Sequence, residues 1–233
     1  MTQGTALIIG AGSGLSAALA RQLHGRGYDL VLGARNTDKL ADLAHQTEAR
    51  TVALDGSDPA AVAALFAGLD GPLRVAIYNP SARQRGPIAD LEPEAVRRAV
   101  EVTAFGAFLM GQAAARVMQD QEPRAGKRGT ILFTGASAGV KGFAQSAPFA
   151  MGKFAQRGLA QSMARELHPK GIHVAWVNID GGISNTARAE RTDDGTDQML
   201  DPEAIATSYL HLIDQHRSAW SNELSLRPWV ESF

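Results

Sequence analysis

Glycines cluster at the point where the first apolar run of the chain ends. The sequence GAGSGLS at residues 10–16 directly follows Thr5–Ile9 and opens an Ala- and Leu-rich segment of helical spacing. Such a turn lets the backbone approach a pyrophosphate, which sits on the free N–H groups of the helix N-terminus. The spacing is G-x-x-x-G-x-[G/S], because Leu15 occupies the place of the last glycine in G-x-G-x-x-G. The loop therefore predicts a dinucleotide site, and the alternative is a strand-to-helix turn that needs only small residues. The expected contacts are Gly10, Gly12, Ser13, Gly14 and Leu15.

The residues after the second apolar run indicate which dinucleotide binds. A site for NAD places Asp or Glu there to hold the ribose 2′-hydroxyl, whereas this chain has Ala34, Arg35 and Asn36. A guanidinium can pair with a 2′-phosphate through two hydrogen bonds, which a carboxylate would repel. We therefore expect NADP in preference to NAD, with Arg35 and Asn36 at the phosphate. The alternative is that Arg35 is a solvated loop charge.

An acidic residue, Asp55, ends the third apolar run just before Gly56. Its carboxylate can accept a hydrogen bond from an adenine amino group. It can equally cap the turn that leads into Asp58-Pro59. The sequence leaves both interpretations open.

The elements that position these residues alternate between short apolar runs and longer segments of helical spacing. The expected strands are Thr5–Ile9, Leu30–Leu32, Thr51–Leu54, Val75–Tyr78, Thr130–Thr134, His173–Asn178 and, at one edge, Leu224–Leu226. The first expected helix follows Gly10–Ser16 and runs to about Gly25. The other expected helices are Thr37–Glu48, residues 59 to about 69, Pro93–Gln121 and Phe149–His168. Apolar strands separated by helices indicate a parallel sheet covered on both faces. Right-handed crossovers then predict an α/β, doubly wound, Rossmann-type sandwich of three layers with a mainly parallel seven-stranded sheet.

Within this pattern we expect one domain over residues 1–233. The polar segment 182–201 is expected to be a substrate loop, and residues 218–233 a C-terminal strand and tail. The tail carries Trp229 and Phe233, which would be costly to leave in water. It either folds over its own core or packs on a partner subunit.

Composition excludes several classes of function. The chain has no Cys, which excludes a disulfide framework, a Cys-ligated zinc site and a thiol nucleophile. With 23 Lys and Arg against 24 Asp and Glu, it has no basic stripe for nucleic acid or anionic membrane. No apolar run approaches the roughly 18 residues of a membrane span, and we expect no signal peptide before the first strand. We expect a cytoplasmic protein without a metal site.

These motifs together resemble the short-chain dehydrogenase/reductase family over nearly the whole chain. Gly10–Ser16 matches the family's glycine-rich loop, and Asp55 matches its acidic residue after the third strand. Further matches, in chain order, are Tyr78-Asn79-Pro80-Ser81, Gly106, Ser137-Ala138-Gly139 and Asp180-Gly181-Gly182-Ile183. The resemblance implies further cofactor contacts from Gly56, Asn79, Pro80, Ser81, Lys153, Gly181 and Ile183. It also implies a homodimer or homotetramer built through the helices within Pro93–Gln121 and Phe149–His168.

The chain departs from the family at its catalytic positions. The family uses Asn, Ser, Tyr and Lys, with Tyr four residues before Lys; here Lys153 is kept. Phe149, Ala136 and Thr103 stand at the positions of Tyr, Ser and Asn. In the family, Tyr protonates the forming alkoxide and Ser polarises its oxygen, so losing them costs about 10²–10⁴ and about 10²–10³ in rate. Lys153 can still hold the ribose hydroxyls of the cofactor. The alternatives are a surface lysine at 153 and a core aromatic at 149.

Three functions stay open from the sequence. The first is an NADP-dependent oxidoreductase that transfers hydride to an activated C=C or C=N bond, which does not need the missing Tyr. The second is an inactive NADP-binding sensor or scaffold, and the third is a carbonyl reductase with a substituted proton donor. For that donor Ser137, Ser146, Thr134 and Tyr78 are poor candidates. The expected substrate is a small or medium-sized apolar molecule, and the apolar pocket candidates are Phe143, Phe149 and Met151.

Overall fold

The computed structural model describes residues 2–185, 187, 191–192 and 194–231. Its centre is a seven-stranded parallel sheet with strand order β3-β2-β1-β4-β5-β6-β9. The strands are β1 (Thr5–Ile9), β2 (Asp29–Ala34), β3 (Arg50–Ala53), β4 (Leu73–Tyr78), β5 (Gly129–Thr134), β6 (Ile172–Ile179) and β9 (Glu223–Leu226). Two residue pairs, β7 (Gly182–Ile183) and β8 (Met199–Leu200), form a separate short parallel ladder.

Helices cover both faces of the sheet. They are α1 (Leu15–Gly25), α2 (Ala41–Thr47), α3 (Pro59–Ala67), α4 (Pro93–Val100), α5 (Gly106–Asp120), α6 (Ala147–Leu167) and α7 (Pro202–Asp214). Buried residues of α1, α2 and α7 pack on one face, and those of α3, α5 and α6 pack on the other. The predicted Rossmann-type, three-layer α/β fold is therefore confirmed. Apolar strand runs predict it well because both faces of each central strand are buried.

The predicted helix Pro93–Gln121 is interrupted. A π-helical turn, Glu101–Phe105, separates α4 from α5, which ends at Asp120. Within it the Val102 carbonyl accepts a 2.6 Å hydrogen bond from the Tyr78 hydroxyl. At Gly106 a Cβ would lie 2.1 Å from Tyr78 Oη, so a glycine lets the helix approach β4 this closely. π-helical turns of this kind are frequent at functional sites.

Two further expectations need correction. The segment predicted as the helix Thr37–Glu48 begins with a 3-10 turn, Asp38–Leu40, before α2. The predicted loop 182–201 contains the β7–β8 ladder, because backbone pairing ties its two ends together. A two-residue ladder is too short to leave a hydrophobic pattern in the sequence.

The described part of the C-terminal tail does not bury its tryptophan. Trp229 is 82% exposed, and its Nε1 donates a 3.1 Å hydrogen bond to Asp197 Oδ2. Phe233 lies outside the described residues. Folding of Trp229 over its own core is therefore not observed.

Candidate functional site

A cavity of about 830 Å³ opens at the carboxyl ends of the central strands. In open parallel sheets, ligands bind at this edge, where the strand order reverses. The reversal here falls between β1 and β4, the two strands whose ends carry Gly10 and Asn79. The lining includes all the residues predicted to bind the cofactor: Gly10, Gly12, Ser13, Gly14, Leu15, Arg35, Asn36, Asp55, Gly56, Asn79, Pro80, Ser81, Lys153, Gly181 and Ile183.

The glycine-rich loop forms one wall of the cavity. Gly10 has a φ of +86°, and a Cβ there would lie 2.7 Å from the Pro80 ring, so only glycine fits. The backbone N–H groups of residues 12–14 have no hydrogen-bond partner among the described residues. Gly14 caps α1 without a side-chain hydrogen bond, and a Cβ at Gly12 would meet no atom within 4 Å. Open space beside unpaired donors and a helix N-terminus suits an anionic group.

Two polar side chains hold the glycine loop in place. Ser16 Oγ donates a 3.0 Å hydrogen bond to the Gly10 carbonyl, and Asn79 Nδ2 donates a 2.7 Å bond to Ser16 Oγ. Ser16, the last residue of the glycine-rich motif, is therefore hydrogen-bonded to Gly10, the first residue of the same motif. This contact was not predicted, because the sequence does not show that β1 and β4 are neighbours whose ends meet.

The end of β2 carries two cations. Arg35 and Lys39 both line the cavity and are exposed, and neither forms an ion pair with a described residue. Asn36 Oδ1 accepts a 2.9 Å hydrogen bond from the Asp38 amide and so shapes the turn. Lys39 was missed from the sequence because it lies in the predicted helix, four residues beyond Arg35. Together the two side chains form a positive site that can take a phosphate.

Asp55 is engaged within its own turn. Its Oδ1 accepts hydrogen bonds from the Ser57 amide at 2.9 Å and the Ser57 hydroxyl at 2.6 Å, and its Oδ2 pairs with Arg98. Partial burial acts to raise the pKa of this carboxyl, but the bonds from Ser57 and Arg98 lower it. The turn-capping interpretation thus describes the observed contacts, and a contact with adenine stays a prediction.

Of the three residues at the predicted catalytic positions, two line the cavity and one does not. Phe149 and Ala136 line the cavity and pack together with Ala138. Thr103 is fully buried outside the lining, and its Oγ1 accepts a 3.1 Å hydrogen bond from the Ala82 amide. Thr103 therefore has no direct access to the cavity, and its place at the family's Asn position stays a prediction.

The other apolar pocket candidates are also corrected. Phe143 and Met151 do not line the cavity and are 46% and 53% exposed, respectively. Met151 lies on the outward face of α6, two residues before the buried Lys153. Only Phe149 of the three candidates contributes to the cavity wall. Ser137 and Ser146, considered as substitute donors, do not line it either.

Lys153 lies at the base of the cavity and is 2% exposed. Its Nζ donates hydrogen bonds to the Thr134 carbonyl and, at 3.3 Å, to Gln156 Oε1. Burial, with a smaller contribution from the positive charge of Arg83, lowers the pKa of this amine to about 7. The interpretation as a surface lysine is therefore wrong. Gln156 was missed because nothing in a single sequence marks a helical glutamine as a lysine partner.

The chain contains three tyrosines, and none replaces the missing donor. Tyr78 is fully buried and donates to Val102, and Tyr209 is fully buried with its hydroxyl 2.9 Å from Thr134 Oγ1. Burial raises the pKa of both phenols. Tyr28 does not line the cavity. The described site therefore has no tyrosine free to protonate a substrate oxygen.

Arg83 is an unpredicted feature of the site. Its guanidinium carbon lies 4.2 Å from the centroid of the Phe149 ring, and both side chains line the cavity. The sequence showed Arg83 only as part of a loop after β4. Its contact with α6, far away along the chain, becomes visible only in the folded structure.

A parallel, doubly wound sheet with a glycine-rich turn after its first strand defines the Rossmann class of α/β proteins. Within this class, a family model described as short chain dehydrogenase matches residues 4–196. The chain belongs to the short-chain dehydrogenase/reductase family. It is thus an oxidoreductase of that type, from a family that binds nicotinamide cofactors and acts on small-molecule substrates.

Individual relatives are similar over nearly the full length. An uncharacterized oxidoreductase of Staphylococcus aureus (strain N315) is 27% identical, with 98% of each chain covered. The crystal structure of a short-chain dehydrogenase from Rhodopseudomonas palustris is 35% identical, covers 97% of this chain and 99% of its own, and has a TM-score of 0.82. A metagenomic short-chain oxidoreductase, solved in complex with NADP, is 26% identical, covers 99% of each chain, and also has a TM-score of 0.82.

Among the described residues, no helix combines the length and apolar character required to cross a membrane. The same part of the chain holds no group of three or more His, Asp or Glu side chains placed to bind a metal ion.

Proposed function

We propose that this protein is an NADP-dependent reductase that acts on an activated C=C or C=N bond of a small or medium-sized substrate with an apolar body. The observation that carries the proposal is the cavity wall at Phe149, which stands four residues before the buried Lys153. The residues suited to the cofactor therefore lie next to a cavity wall that offers no tyrosine hydroxyl free to donate a proton. The assignment of Phe149, Ala136 and Thr103 to the family's Tyr, Ser and Asn positions is part of this proposal.

The residues present fit NADP. The unpaired N–H groups of residues 12–14 would hold the pyrophosphate, and Arg35 and Lys39 would hold the 2′-phosphate. Lys153 would hold the ribose next to the nicotinamide. The NADP complex of the metagenomic relative supports the same choice. When bound, NADPH supplies the hydride.

The chain's own residues determine which substrates can react. Phe149 contributes an apolar ring to the cavity wall, where the exposed 5% of the residue can contact the substrate body. It has no proton to give to a substrate oxygen, which disfavours simple carbonyl groups. A C=N bond in its iminium form needs no such proton, because its reduction gives a neutral amine. An activated C=C bond gives an enolate, which water can protonate.

We also propose a role for segment 182–201. Asn185 Nδ2 donates a 3.3 Å hydrogen bond to Ser13 Oγ, so the chain just after β7 touches the glycine-rich loop. Arg191 from the same segment lines the cavity. This contact supports a substrate loop that closes over the site within a single domain of residues 1–233. Segment 218–233 then forms the edge strand β9 and a tail.

The outer faces of α5 and α6 support a homodimer or homotetramer. Phe105, Phe108 and Phe154 are 42%, 40% and 45% exposed, and the first two rings stack with centroids 6.1 Å apart. Exposed aromatic side chains of this kind are typical of subunit interfaces. Light scattering of the purified protein measures the assembly directly. A monomer at micromolar concentration would contradict this proposal.

A second candidate function is an NADP-binding sensor or scaffold without turnover. The combined presence of Phe149, Ala136 and Thr103 at the three catalytic positions favours it. A carbonyl reductase with a substituted donor is less well supported, because the hydroxyls considered for that role are buried and bonded or lie outside the cavity. Thr134 and Tyr78 line the cavity, but Thr134 Oγ1 is bonded to Tyr209 and the Tyr78 hydroxyl donates to the Val102 carbonyl.

The cofactor part of the proposal is tested by fluorescence titration of the purified protein with NADPH and NADH separately. We expect NADPH to bind in the micromolar range and NADH at least about tenfold more weakly, since NADH lacks the phosphate that Arg35 and Lys39 would bind. If neither binds, the enzyme proposal fails. An NADPH-saturated protein that stays inert but changes its oligomeric state would favour the sensor.

A further inference from the structure

We propose that Arg83 binds a carboxylate group of the substrate, so that the reducible bond belongs to an organic acid. This inference rests on the proposed function, since it names the substrate class of the same site. It adds a specificity-determining residue at the substrate end of the cavity. The argument starts from the position of Arg83.

Arg83 faces the residue that replaces the proton donor. Its guanidinium carbon is 4.2 Å from the centre of the Phe149 ring, and both residues line the cavity. Stacking on an aromatic ring covers one flat face of a guanidinium and leaves its N–H edge free. The edge is the part that pairs with carboxylates through two parallel hydrogen bonds.

No carboxylate among the described residues neutralises the charge of Arg83. Among the described residues, Arg83 forms no ion pair, and Asp55 is the sole carboxylate of the cavity lining. Asp55 is already paired with Arg98. The charges that act on Arg83 are themselves positive, from Arg85 and Arg191. A concave site with one sign of charge concentrates ligands of the opposite sign.

The proposed cofactor does not account for Arg83. Its phosphates are assigned to the glycine-rich loop and to Arg35 with Lys39, which belong to the ends of β1 and β2. Arg83 instead follows β4 and contacts α6, at the side of Phe149 and Lys153. The nicotinamide ring, which the family places at this side, has no negative charge. The unassigned cation therefore points to an anion on the substrate.

A carboxylate at this position has a chemical consequence. It would anchor the substrate by a group that does not react, and so hold the adjacent C=C or C=N bond against the apolar Phe149 face. Such anchoring supplies orientation without a proton donor. The proposed substrate then has an apolar body and one charged end, and so is not wholly apolar.

The test measures binding of matched acids and esters. The probes are crotonate, fumarate and trans-cinnamate with their methyl esters, titrated by calorimetry into the free protein and into the NADPH-loaded protein. We expect at least one acid to bind about ten- to a hundredfold more tightly than its ester, as for a charge-assisted hydrogen-bonded pair. Raising the salt concentration should reduce this ratio.

Variants assign the effect to Arg83. In Arg83→Gln the acid-to-ester ratio should fall to about one, and in Arg83→Lys it should fall partly, because lysine lacks the planar fork. Arg85→Gln is the matched control: it removes the same charge from the same loop, at a residue that does not line the cavity. NADPH titration of Arg83→Gln should match that of the wild type, which shows that the variant is folded.

The outcomes separate the two proposals. Equal affinity for acids and esters, a ratio that survives in Arg83→Gln, or no detectable binding of any acid would each overturn the role of Arg83. NADPH binding and turnover of neutral substrates would then still stand. Conversely, a failure of NADPH to bind would overturn the proposed function, while the ratio in the free protein still decides the role of Arg83.

Discussion

Replacing the buried Lys153 by methionine should stabilise the free protein at neutral pH. Lys153 is 2% exposed, and among the described residues its amine has two hydrogen-bond partners, the Thr134 carbonyl and Gln156. Burial lowers its pKa from the ordinary 10.5 to about 7. Between these two values the unfolded chain binds the proton and the folded chain does not. The free energy of unfolding of the wild type therefore rises with pH over this range.

The size of this destabilisation follows from the difference between the pKa values of Lys153 in the unfolded and the folded chain. A pKa difference of about 3.5 corresponds to about 5 kcal/mol of destabilisation near pH 7 and below, and this vanishes above the unfolded value. Methionine removes this penalty but leaves the Thr134 carbonyl without its donor, which costs about 1–3 kcal/mol. The net expectation is that Lys153→Met is more stable than wild type by about 2–4 kcal/mol at neutral pH. Above pH of about 10 it should be less stable.

Urea unfolding at a series of pH values, without cofactor, provides the measurement. The difference between wild type and Lys153→Met cancels the contributions of other groups, including Lys127, whose pKa burial lowers to about 8. Lys170→Met, at a lysine whose side chain is 45% exposed, is the control and should show a nearly constant difference. If the Lys153 difference is also constant from about pH 6 to about pH 10, the folded protein does not expel this proton and the reasoning is refuted.

Three further expectations concern the cofactor, the packing and the missing donor. Arg35→Ala should weaken NADPH binding by about ten- to a hundredfold and leave NADH unchanged in fluorescence titrations; equal losses would exclude a 2′-phosphate contact. Gly106→Ala should lower stability by about 2 kcal/mol or more, because its Cβ would lie 2.1 Å from the Tyr78 hydroxyl oxygen. Gly158→Ala, in α6 with open space around the added Cβ, should instead raise stability by about 0.5–1 kcal/mol, and a fall in Tm for both alike would contradict this account. Phe149→Tyr combined with Ala136→Ser should raise the reduction rate of a simple ketone at least about tenfold, and an unimproved or lower rate would favour a donor already present in the wild type.

Local sequence signals predicted the strands and the glycine-rich turn well. Thr5–Ile9 has the same bounds in prediction and structure, because a buried parallel strand must be apolar on both faces. Gly10 and Arg35 were found for a related reason: the residues that follow a strand in this fold have fixed places in the cavity. These parts of the site follow from order along the chain alone.

The parts that were missed depend on contacts between distant segments. Arg83 meets Phe149 because the loop after β4 crosses over α6, and no periodicity reports that. Gln156 is recognisable only once Lys153 is known to be buried beside it. The π-helical turn Glu101–Phe105 results from the approach of Gly106 to Tyr78, a tertiary contact that overrides a good helical pattern.

Under the proposed function, the site reduces activated C=C or C=N bonds and spares simple carbonyls. This is tested by the initial rate of NADPH consumption with an α,β-unsaturated ketone and with the saturated ketone of the same carbon skeleton, and the reduced product is identified by mass. We expect consumption with the unsaturated compound, or with a cyclic imine, at least about tenfold above that with the saturated ketone, because Phe149 has no proton to give. A saturated ketone reduced as fast as its unsaturated partner would contradict the account.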